Sequence, residues 1–436
     1  MEKNECKKRA INAIDKNRDS ILALFDSVAS EPELGFKEFK TAKKIKAFFD
    51  EMNFNYEDGV AITGVISTQK GRSSKLKVAV MGELDAVISS LHPQADKQTG
   101  AVHACGHNAQ LAALAGVAAA IHDANLMAEL DGDVALMAVP SEECIEIEYR
   151  NRLRKEGKLK FLGGKQEFIR LGKFDDVDIA IMQHTAMSDG GFKAGAGSPC
   201  NGFVSKIIHY TGKSAHAGSE PYNGINALNA ASIGTLAVHA QRETFRDEDH
   251  IRVHSIMTKG GDVVNIVPAD VTLEAYVRGA NTPAILDASS KVNRAYKAGG
   301  DAVGAKTDIT TLPGYMPVVM CDPLLDIMYK NMQELLGTQG VERLCAGFGG
   351  GSTDAGDVSQ ILPVVHSFFG GAEGGFHSER FQIVDRDLAV ISAAKCLTMV
   401  LIDLLWDGAK EGIKIKNAYV PPMTKDEYLE KWGGIK

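Results

Sequence analysis

The sequence predicts an α/β protein in which a largely parallel sheet is flanked by helices and a smaller α+β domain is inserted into the larger one. Up to residue 184, short apolar strand segments alternate with helical segments, which is typical of a parallel sheet. A glycine-rich stretch at 190–202 then marks a boundary. After it, the segments follow the order strand–helix–strand–strand–helix–strand, which predicts a compact inserted sandwich.

The first part of the chain has a helical pattern from Lys7 to Met52. Apolar residues recur at helical spacing from Ile11 to Val28, and a second helix is predicted around Ile45–Phe49. The segment 30–36, with a proline and a glycine, breaks the pattern between them. Strands are predicted next, at 61–67 and 76–81, so the sheet is expected to begin after these helices.

Three predicted strands end next to side chains that can bind a metal or move a proton. Asp85 follows the strand at 76–81, Glu142 and Glu143 follow the strand at 133–139, and His184 follows the strand at 177–182. Ligands of open α/β sheets collect beyond the carboxyl ends of the strands. We therefore expect these side chains to converge on one site.

The stretch 103–108 leads into an alanine-rich helix that is predicted to begin near Asn108. Cys105 and His107 are two residues apart, so their side chains point the same way on an extended loop. A thiolate beside an imidazole suits a borderline-soft divalent metal. The strand-end residues are the candidates for the remaining ligands.

Glu142 and Glu143 are adjacent, and adjacent side chains at a strand end diverge, so both cannot bind one metal ion. One can bind the metal while the other takes a proton from metal-bound water and passes it to a leaving amine, as in hydrolysis. Other interpretations stay open at this point. An isolated Glu–Glu pair is usually solvated, a lone histidine such as His184 is more often a core residue, and His377 could be a loop residue.

Composition excludes several classes of function. Hydrophobic residues at 44% and charged residues at 24% are typical of a globular protein. The net charge of −8, without a basic stripe, argues against nucleic acid or an anionic membrane as a partner. The first residues lack the apolar core of a signal peptide, and no apolar run approaches the roughly 20 residues of a membrane helix. The seven scattered cysteines suit reduced thiols, so we expect a cytoplasmic protein.

The inserted domain is predicted to be ferredoxin-like, and the chain to divide into residues 1–199, 200–312 and 313–436, with the first and third parts forming one domain. Its predicted elements are strands at 204–210, 251–257, 271–277 and 307–312 and helices at 224–241 and 283–296. Residues 347–351 are expected to form a tight glycine loop, and the polar tail after Tyr419 to be loosely held.

These motifs together resemble the M20 metallopeptidase family, in the branch of hippurate, indole-acetyl-amino-acid and aminobenzoyl-glutamate hydrolases and related dipeptidases. The resemblance covers essentially the whole chain, and several motifs in the right order make it specific. It rests on the residues Gly82–Ala86, His103–Asn108, Pro140–Glu143, Ser214–Ala217, Gly260–Pro268, Gly351–Asp354 and His377–Ser378.

The resemblance implies an α/β dinuclear-metal hydrolase domain with an inserted lid. It implies two divalent metal ions per chain, zinc or manganese, with cobalt or nickel also suitable. The implied ligands are Cys105, His107, Glu143, His184 and His377. Metal-bound hydroxide would attack the amide bond of a small N-acyl amino acid or dipeptide, with Glu142 as general base and acid.

Further roles follow from the resemblance in the same way. His216, on the lid, would stabilise the oxyanion, helped by Asn265, and Arg278 would bind a substrate carboxylate through a bidentate pair. Asp85 would orient a histidine ligand. The family also forms dimers through the lid, so a neighbour's lid could complete the site.

The sequence departs from the family pattern at Asn108, at Gln110 and in the basic segment 145–172. Asn108 stands where aspartate is common, so it can act only through hydrogen bonds, and Gln110 stands where histidine is frequent. These departures bear on the substrate rather than the metal site, because every ligand position holds a competent side chain. Cys144, beside Glu143, is expected to be a packing residue.

Two alternatives stay open. One is a carboxypeptidase or aminoacylase-type activity on other small peptides. It differs from the leading hypothesis in which side of the cleaved bond the pocket recognises. The other is a non-catalytic binding or assembly protein, whose sequence would be expected to lack a ligand or Glu142.

Overall fold

The computed structural model describes residues 2–197, 199–344 and 349–435, and in them it has a nine-stranded sheet, a four-stranded sheet and a small two-stranded one. The strands are β1 (Glu57–Val60), β2 (Gly64–Gln69), β3 (Lys77–Glu83), β4 (Val87–Ile88), β5 (Ala101–Val102), β6 (Asp133–Val139), β7 (Ile179–Met187), β8 (Ala194–Ala196), β9 (Gly202–Thr211), β10 (Arg252–Lys259), β11 (Asp270–Gly279), β12 (Lys306–Pro313), β13 (Val341–Arg343), β14 (Val364–Glu373) and β15 (Gln382–Ile383).

Helices flank both sheets. They are α1 (Lys3–Lys16), α2 (Arg18–Ser30), α3 (Phe39–Glu51), α4 (His107–Asp123), α5 (Ile147–Lys155), α6 (Gly164–Arg170), α7 (Ala227–Ala240), α8 (Thr282–Val303), α9 (Asp322–Leu336), α10 (Ala355–Ser359), α11 (Ala393–Leu405), α12 (Lys410–Ala418) and α13 (Lys425–Lys431), and a π-helical segment (Asp387–Ser392) runs directly into α11.

The large sheet has the order β1-β2-β6-β3-β7-β14-β8-β13, with β15 paired to β14. The four central strands β6, β3, β7 and β14 are mutually parallel, and antiparallel pairings occur towards the edges. Alternate residues of one strand enter different cores: Val78 and Val80 pack with α1, α2 and α4, whereas Ala79 and Met81 pack with residues of α6 and α10. Both faces are therefore covered, and the predicted mixed, largely parallel sheet is confirmed.

The four-stranded sheet, with α7 and α8, forms the lid. Its order is β10-β11-β9-β12 and every pairing is antiparallel. Asn226 caps α7 and Asn281 caps α8, each by accepting backbone N–H groups. The ferredoxin-like arrangement is confirmed, with its elements between residues 202 and 313, while the division at 199 and 312 stays a prediction.

Helix α4, the predicted alanine-rich helix, is buried on all sides: every residue from His107 to Ile121 is buried. Small residues allow this close packing. Gly116, for example, has no Cβ, and a Cβ there would lie only 2.6 Å from the Cβ of Ala394. The helix lies between the nine-stranded sheet on one side and α1, α2 and α11 on the other.

Several boundaries also differ. The first predicted helix is divided at Asn17 into α1 and α2, and β2 begins at Gly64 because the residues before it turn into the unpredicted strand β1. Strand β7 continues to Met187, so His184 lies within the strand rather than after it. The glycine-rich stretch contains β8, and the predicted glycine loop lies partly outside the described residues, at 347 and 348.

Two expectations were wrong for the C-terminal part of the chain: that the tail after Tyr419 is loosely held, and that no stretch is apolar and long enough for a membrane helix. The tail is held by α13, where Tyr428 donates a hydrogen bond to Asp357 (2.8 Å) and Trp432 donates one to the carbonyl of Gly314 (2.9 Å). The helical stretch Asp387–Leu405 has 19 residues and a mean hydropathy of 2.1, which is long and apolar enough to cross a membrane. However, 78% of that window is buried inside the protein, so its packing as a core helix accounts for its composition.

Candidate active site

The ends of the parallel strands deliver the candidate residues to one edge of the large sheet. Glu83 ends β3 and Asp85 follows it, Glu142 and Glu143 follow β6, and β7 carries His184. Cys105 and His107 stand on either side of Gly106, which adopts a positive φ of 87° at the start of α4. A side chain there would be strained and would lie 2.6 Å from Thr185 Oγ1, so glycine lets this turn approach β7 closely.

Two groups of potential metal ligands share the thiol of Cys105. One group is Cys105, His107 and His184, the other is Cys105, Glu143 and His377, and within each group the ligand atoms lie within 4.8 Å of one another. Cys105 Sγ is 3.4 Å from His184 Nε2 and 3.3 Å from His377 Nε2. The structure therefore brings all five predicted ligands together at one point.

Hydrogen bonds fix which nitrogen each buried histidine presents to this point. His107 Nδ1 donates to the carbonyl of Asp85 (2.9 Å) and lies 3.2 Å from its carboxylate, and His184 Nδ1 donates to the carbonyl of Thr185 (2.7 Å). The Nε2 atoms of both rings are thus left to face the cluster with a lone pair. Asp85 has the predicted orienting position, and its other carboxylate oxygen accepts the N–H of Glu143 (2.8 Å).

The donor set fits divalent metal ions. His107 Nε2, Glu83 Oε2 and Glu143 Oε1 are buried and accept or donate no well-aligned hydrogen bond within the described part of the chain. Burial, followed by Glu143, raises the pKa of the Cys105 thiol well above its usual value, and burial lowers the pKa of His184 to about 4. A divalent cation fits this donor set, because it would turn the thiol into a thiolate ligand and compensate the buried carboxylates.

Glu142 and Glu143 diverge as expected. Glu143 Oε1 is 2.9 Å from His377 Nε2, whereas Glu142 Oε2 is 3.9 Å from His107 Nε2. Burial, followed by the charges of Glu83 and Glu143, raises the pKa of Glu142 well above its usual value. A buried carboxyl next to the cluster but outside the two ligand groups can hold and release a proton there.

Glu83 is a residue that the sequence interpretation missed. Its Oε2 lies 3.1 Å from His107 Nε2, and with His107 and Glu142 it forms a third group of potential ligands. Its Oε1 lies 2.5 Å from Lys165 Nζ, which is also 2.5 Å from Asp354 Oδ1. Gln110 Oε1 accepts the backbone N–H of Glu83 (3.2 Å), which gives this departure from the family pattern a structural role.

The basic segment after the Glu pair also has a structural explanation. Arg150 is fully buried and donates hydrogen bonds to the carbonyls of Ser141, Glu143 and Leu162. Lys165 neutralises the carboxylates of Glu83 and Asp354. The segment thus holds the turn that carries Glu142 and Glu143, a role that its composition did not indicate.

A cavity of about 940 Å³ joins the metal-binding cluster to the lid. Cys105, His184 and His377 line it together with Arg252 and Arg278 of the lid. The lid also contacts the turn that carries Glu142 and Glu143, since Tyr276 of β11 donates a hydrogen bond to the carbonyl of Cys144. Tyr315, just after the lid, donates one to the carbonyl of Glu142. A second cavity of about 520 Å³ lies at the edge of the lid, next to α8, away from these groups.

The remaining predicted residues differ in whether they line the cavity. Arg278 lines the cavity, as does Cys144, which is buried in its wall. His216 and Asn265 are not among the residues lining it; His216 Nδ1 accepts the N–H groups of Gly218 and Ser219 on the outer part of the lid. Asn108 is buried, but its side-chain oxygen has no hydrogen-bond partner among the described residues, so the expected hydrogen-bonding role is not seen.

Comparison with known proteins adds the family. Residues 79–399 match the sequence model described as "Peptidase family M20/M25/M40". The chain is 26% identical over 432 residues to the Xaa-Arg dipeptidase of Mus musculus, covering 94% of this chain and 91% of the relative. It is 25% identical over 371 residues to an IAA-amino acid hydrolase of Arabidopsis thaliana, covering 81% and 77%. Among solved structures, a dinuclear metal-binding M20 peptidase from Bacillus subtilis superposes with a TM-score of 0.64 at 20% identity, covering 90% of this chain and 99% of that one.

Proposed function

Because the chain belongs to peptidase family M20/M25/M40 and is therefore a metallohydrolase of C–N bonds, we propose that it cleaves the amide bond of a small N-acyl amino acid or dipeptide with Glu142 as general base and acid. The observation that carries the proposal is the shared cluster around Cys105, which opens into a cavity with room for a small ligand. The names of the relatives, a dipeptidase and an amino acid hydrolase, support the same substrate class.

We propose Cys105, His107, Glu143, His184 and His377 as the residues that hold two divalent metal ions. The ions would lower the pKa of a water molecule and would polarise the amide carbonyl of the substrate. Zinc or manganese suits the mixture of thiolate, imidazole and carboxylate ligands, and cobalt or nickel is also compatible. Elemental analysis of the purified protein identifies the metal.

The chain's own residues account for the movement of the proton. Glu142 lies next to the cluster with Oε2 3.9 Å from His107 Nε2, and its carboxylate takes the proton of the attacking water. The same oxygen then delivers this proton to the leaving nitrogen, so that an amine rather than an amide anion departs. The hydrogen bonds of Tyr315 and Arg150 hold the turn and thereby fix the position of this carboxylate.

Glu142→Gln tests this role. The amide has nearly the shape of the carboxylate but cannot take a proton, so we expect turnover of N-acyl amino acids to fall at least about 100-fold, in the range of general acid–base catalysis. Metal content per chain should stay at the wild-type value, since Glu142 is proposed to lie outside the ligand set. Near-normal turnover in the variant would show that another group moves the proton.

The alternatives are less well supported. A carboxypeptidase or aminoacylase-type specificity uses the same chemistry, and a panel of N-acetyl, N-aryl and dipeptide substrates scored by released amine separates it. A non-catalytic descendant is disfavoured because every proposed ligand and Glu142 are present.

We also propose that two copies of the chain associate through the lid. Apolar side chains are exposed on α7 and on the edge strand β10, including Leu236 (68% exposed) and Ile256 (64% exposed). Since His216 does not line the cavity of its own chain, a neighbour's lid could supply it. Sedimentation equilibrium of wild type and Leu236→Glu tests this, and a monomeric wild type would contradict it.

A cytoplasmic location is proposed on composition alone. The scattered cysteines suit a reducing compartment. Fractionation of cells that express the chain, with detection by antibody, would contradict this proposal if the protein were found outside the cytoplasm.

A further inference from the structure

Two arginines of the lid lie side by side in the lining of the cavity. Arg252 on β10 and Arg278 on β11 are directly paired in the antiparallel register, so their side chains project from the same face of the lid sheet. Both line the cavity that contains the metal-binding cluster. Like charges in directly opposite positions repel each other, so this arrangement calls for an explanation.

Neither arginine forms an ion pair with a carboxylate in the described part of the chain. Arg278 donates from Nη1 to Ser352 Oγ (2.9 Å) and lies over the rings of Phe203 and Tyr276. Arg252 donates to its neighbouring carbonyl, that of Ile251 (3.0 Å). Arg18 and Arg72, by contrast, are each paired with a carboxylate: Arg18 binds Asp387 through two hydrogen bonds, and Arg72 binds Asp131 in the same way.

The groups around the pair do not compensate its charge. His254 lies one position along on the same face of β10, 3.4 Å from Arg278 Nε. Burial, followed by Arg278 and Arg242, lowers its pKa, so the ring is neutral at pH 7; it accepts a hydrogen bond from Arg278 and adds no charge. The lid therefore brings to the cavity two positive charges that pair with no carboxylate of the described residues and that an anionic ligand would complement.

Aromatic rings line the cavity both beside the metal-binding cluster and beside the arginines. The rings of Phe368 and Phe376 contact that of His184, with centroids 5.9 Å and 5.4 Å apart, and Arg278 lies over those of Phe203 and Tyr276. An aromatic acyl group would thus find apolar surface in the same cavity as the two arginines.

We propose that the cavity selects an amino-acid part with two carboxylates, so that the substrates are N-acyl derivatives of aspartate or glutamate, or dipeptides ending in these residues. Arg278 binds one carboxylate and Arg252 the other, each through charge-assisted hydrogen bonds. The pair also repels a basic side chain. We therefore expect this chain to prefer other substrates than the Xaa-Arg dipeptides after which the Mus musculus relative is named. This inference rests on the proposed amide hydrolysis.

The test compares N-benzoyl derivatives of glutamate, alanine and arginine as substrates of the metal-loaded wild type, Arg252→Gln and Arg252→Lys. For wild type, kcat/KM should be at least about tenfold higher for the glutamate than for the alanine derivative, and lowest for arginine. Arg252→Gln should lose about 10- to 100-fold on the glutamate derivative, mainly through KM, and change less than about threefold on alanine. Arg252→Lys should recover part of this loss, because it keeps the charge without the planar fork.

Arg294→Gln is the matched control, since Arg294 is an exposed lid arginine on α8 that does not line the cavity. It should keep the wild-type preference. Equal kcat/KM for the glutamate and alanine derivatives in wild type, or an equal loss on both in Arg252→Gln, would overturn the inference.

Binding separates this inference from the proposed activity. Calorimetric titration should show tighter binding of N-benzoylglutamate than of N-benzoylalanine to wild type, and no such difference for Arg252→Gln. If none of the three compounds is hydrolysed but this binding pattern is found, the proposed amide hydrolysis fails while the dicarboxylate site stands. If hydrolysis occurs without the binding preference, only the dicarboxylate inference fails.

Discussion

Lys165 is buried between the carboxylates of Glu83 and Asp354, at 2.5 Å from each. Removing one partner of a buried ion pair leaves uncompensated charge and costs about 3–5 kcal/mol. Lys165→Met should therefore lower the free energy of unfolding by about this amount in urea denaturation. Combining it with Glu83→Gln should restore part of the loss, because one of the stranded charges is removed.

The control for Lys165 is Lys158→Met, in the same basic segment. Lys158 pairs with Glu156 at the surface (2.9 Å), and such pairs contribute about 0–1 kcal/mol. Its variant should unfold almost like wild type. A Lys165→Met protein as stable as the Lys158→Met protein would show that the buried cluster is not held by this lysine.

The contrast between Cys105 and Glu83 shows which residues sequence can predict. Cys105 and His107 are neighbours in a short motif, so the chemistry of the pair is visible in the sequence. Glu83 pairs with a lysine 82 residues away, and that lysine pairs with an aspartate 189 residues further on. Pairings of this kind depend on which strand ends meet, which residue spacing does not reveal.

At the scale of elements, periodicity predicted the strands and helices better than their ends. The strand at 133–139 has the predicted bounds, because apolar residues end where the turn residues begin. Strand β7 continues through His184 to Met187, since its polar residues still pair with β14. Tertiary pairing thus extended a strand beyond its apolar run, and the same pairing positions His184.

Lys206, in the middle of β9, makes the stability of the lid depend on pH. It is buried without a carboxylate partner among the described residues and donates to Ser289, Asn293 and Thr311 (2.8, 2.7 and 3.1 Å). Burial lowers its pKa to about 7 in the folded protein, against about 10.4 for an unfolded lysine. Between these values the unfolded state binds more protons, so stability should rise with pH from 7 to about 10.

The measurement is the free energy of unfolding of wild type relative to Lys206→Met across this range of pH. The difference should increase in favour of wild type with a slope of up to about 1.4 kcal/mol per pH unit, and should be flat below pH 7. Lys297→Met, at an exposed position of α8, is the matched control. A flat difference from pH 7 to 10 would contradict the burial of a lysine whose charge is disfavoured.

At the scale of the whole molecule, the order of the motifs predicted both the parallel sheet and the inserted lid. What it could not predict was how the lid meets the sheet. Tyr276 of the lid and Tyr315, just after it, hydrogen-bond to the turn that carries Glu142, so the lid and the segment that follows it help to form the wall of the site. His216 belongs to the same lid yet lies outside the cavity, because contacts between domains follow from surface shape rather than from residue spacing.

The C-terminal tail after Tyr419 is a second feature that the sequence did not predict. Its polar composition predicted a loose segment, but Tyr428 stacks on Phe161 with ring centroids 5.5 Å apart and is completely buried. Only a few of its residues are apolar, and two of them, Tyr428 and Trp432, join the buried core that also contains Phe161 and Phe168. Average composition therefore hid an anchoring contact that two aromatic side chains are enough to make.

Metal content per chain, measured by elemental analysis for wild type, Cys105→Ala and Cys144→Ala, tests the central claim most directly. Cys105 belongs to both ligand groups, whereas Cys144 lines the same cavity and belongs to neither. We expect about two divalent transition-metal ions per chain in wild type and Cys144→Ala, and a loss affecting both ions in Cys105→Ala. A wild type that binds no metal after incubation with zinc and manganese, or a Cys105→Ala protein with full metal content, would contradict a dinuclear centre organised around Cys105.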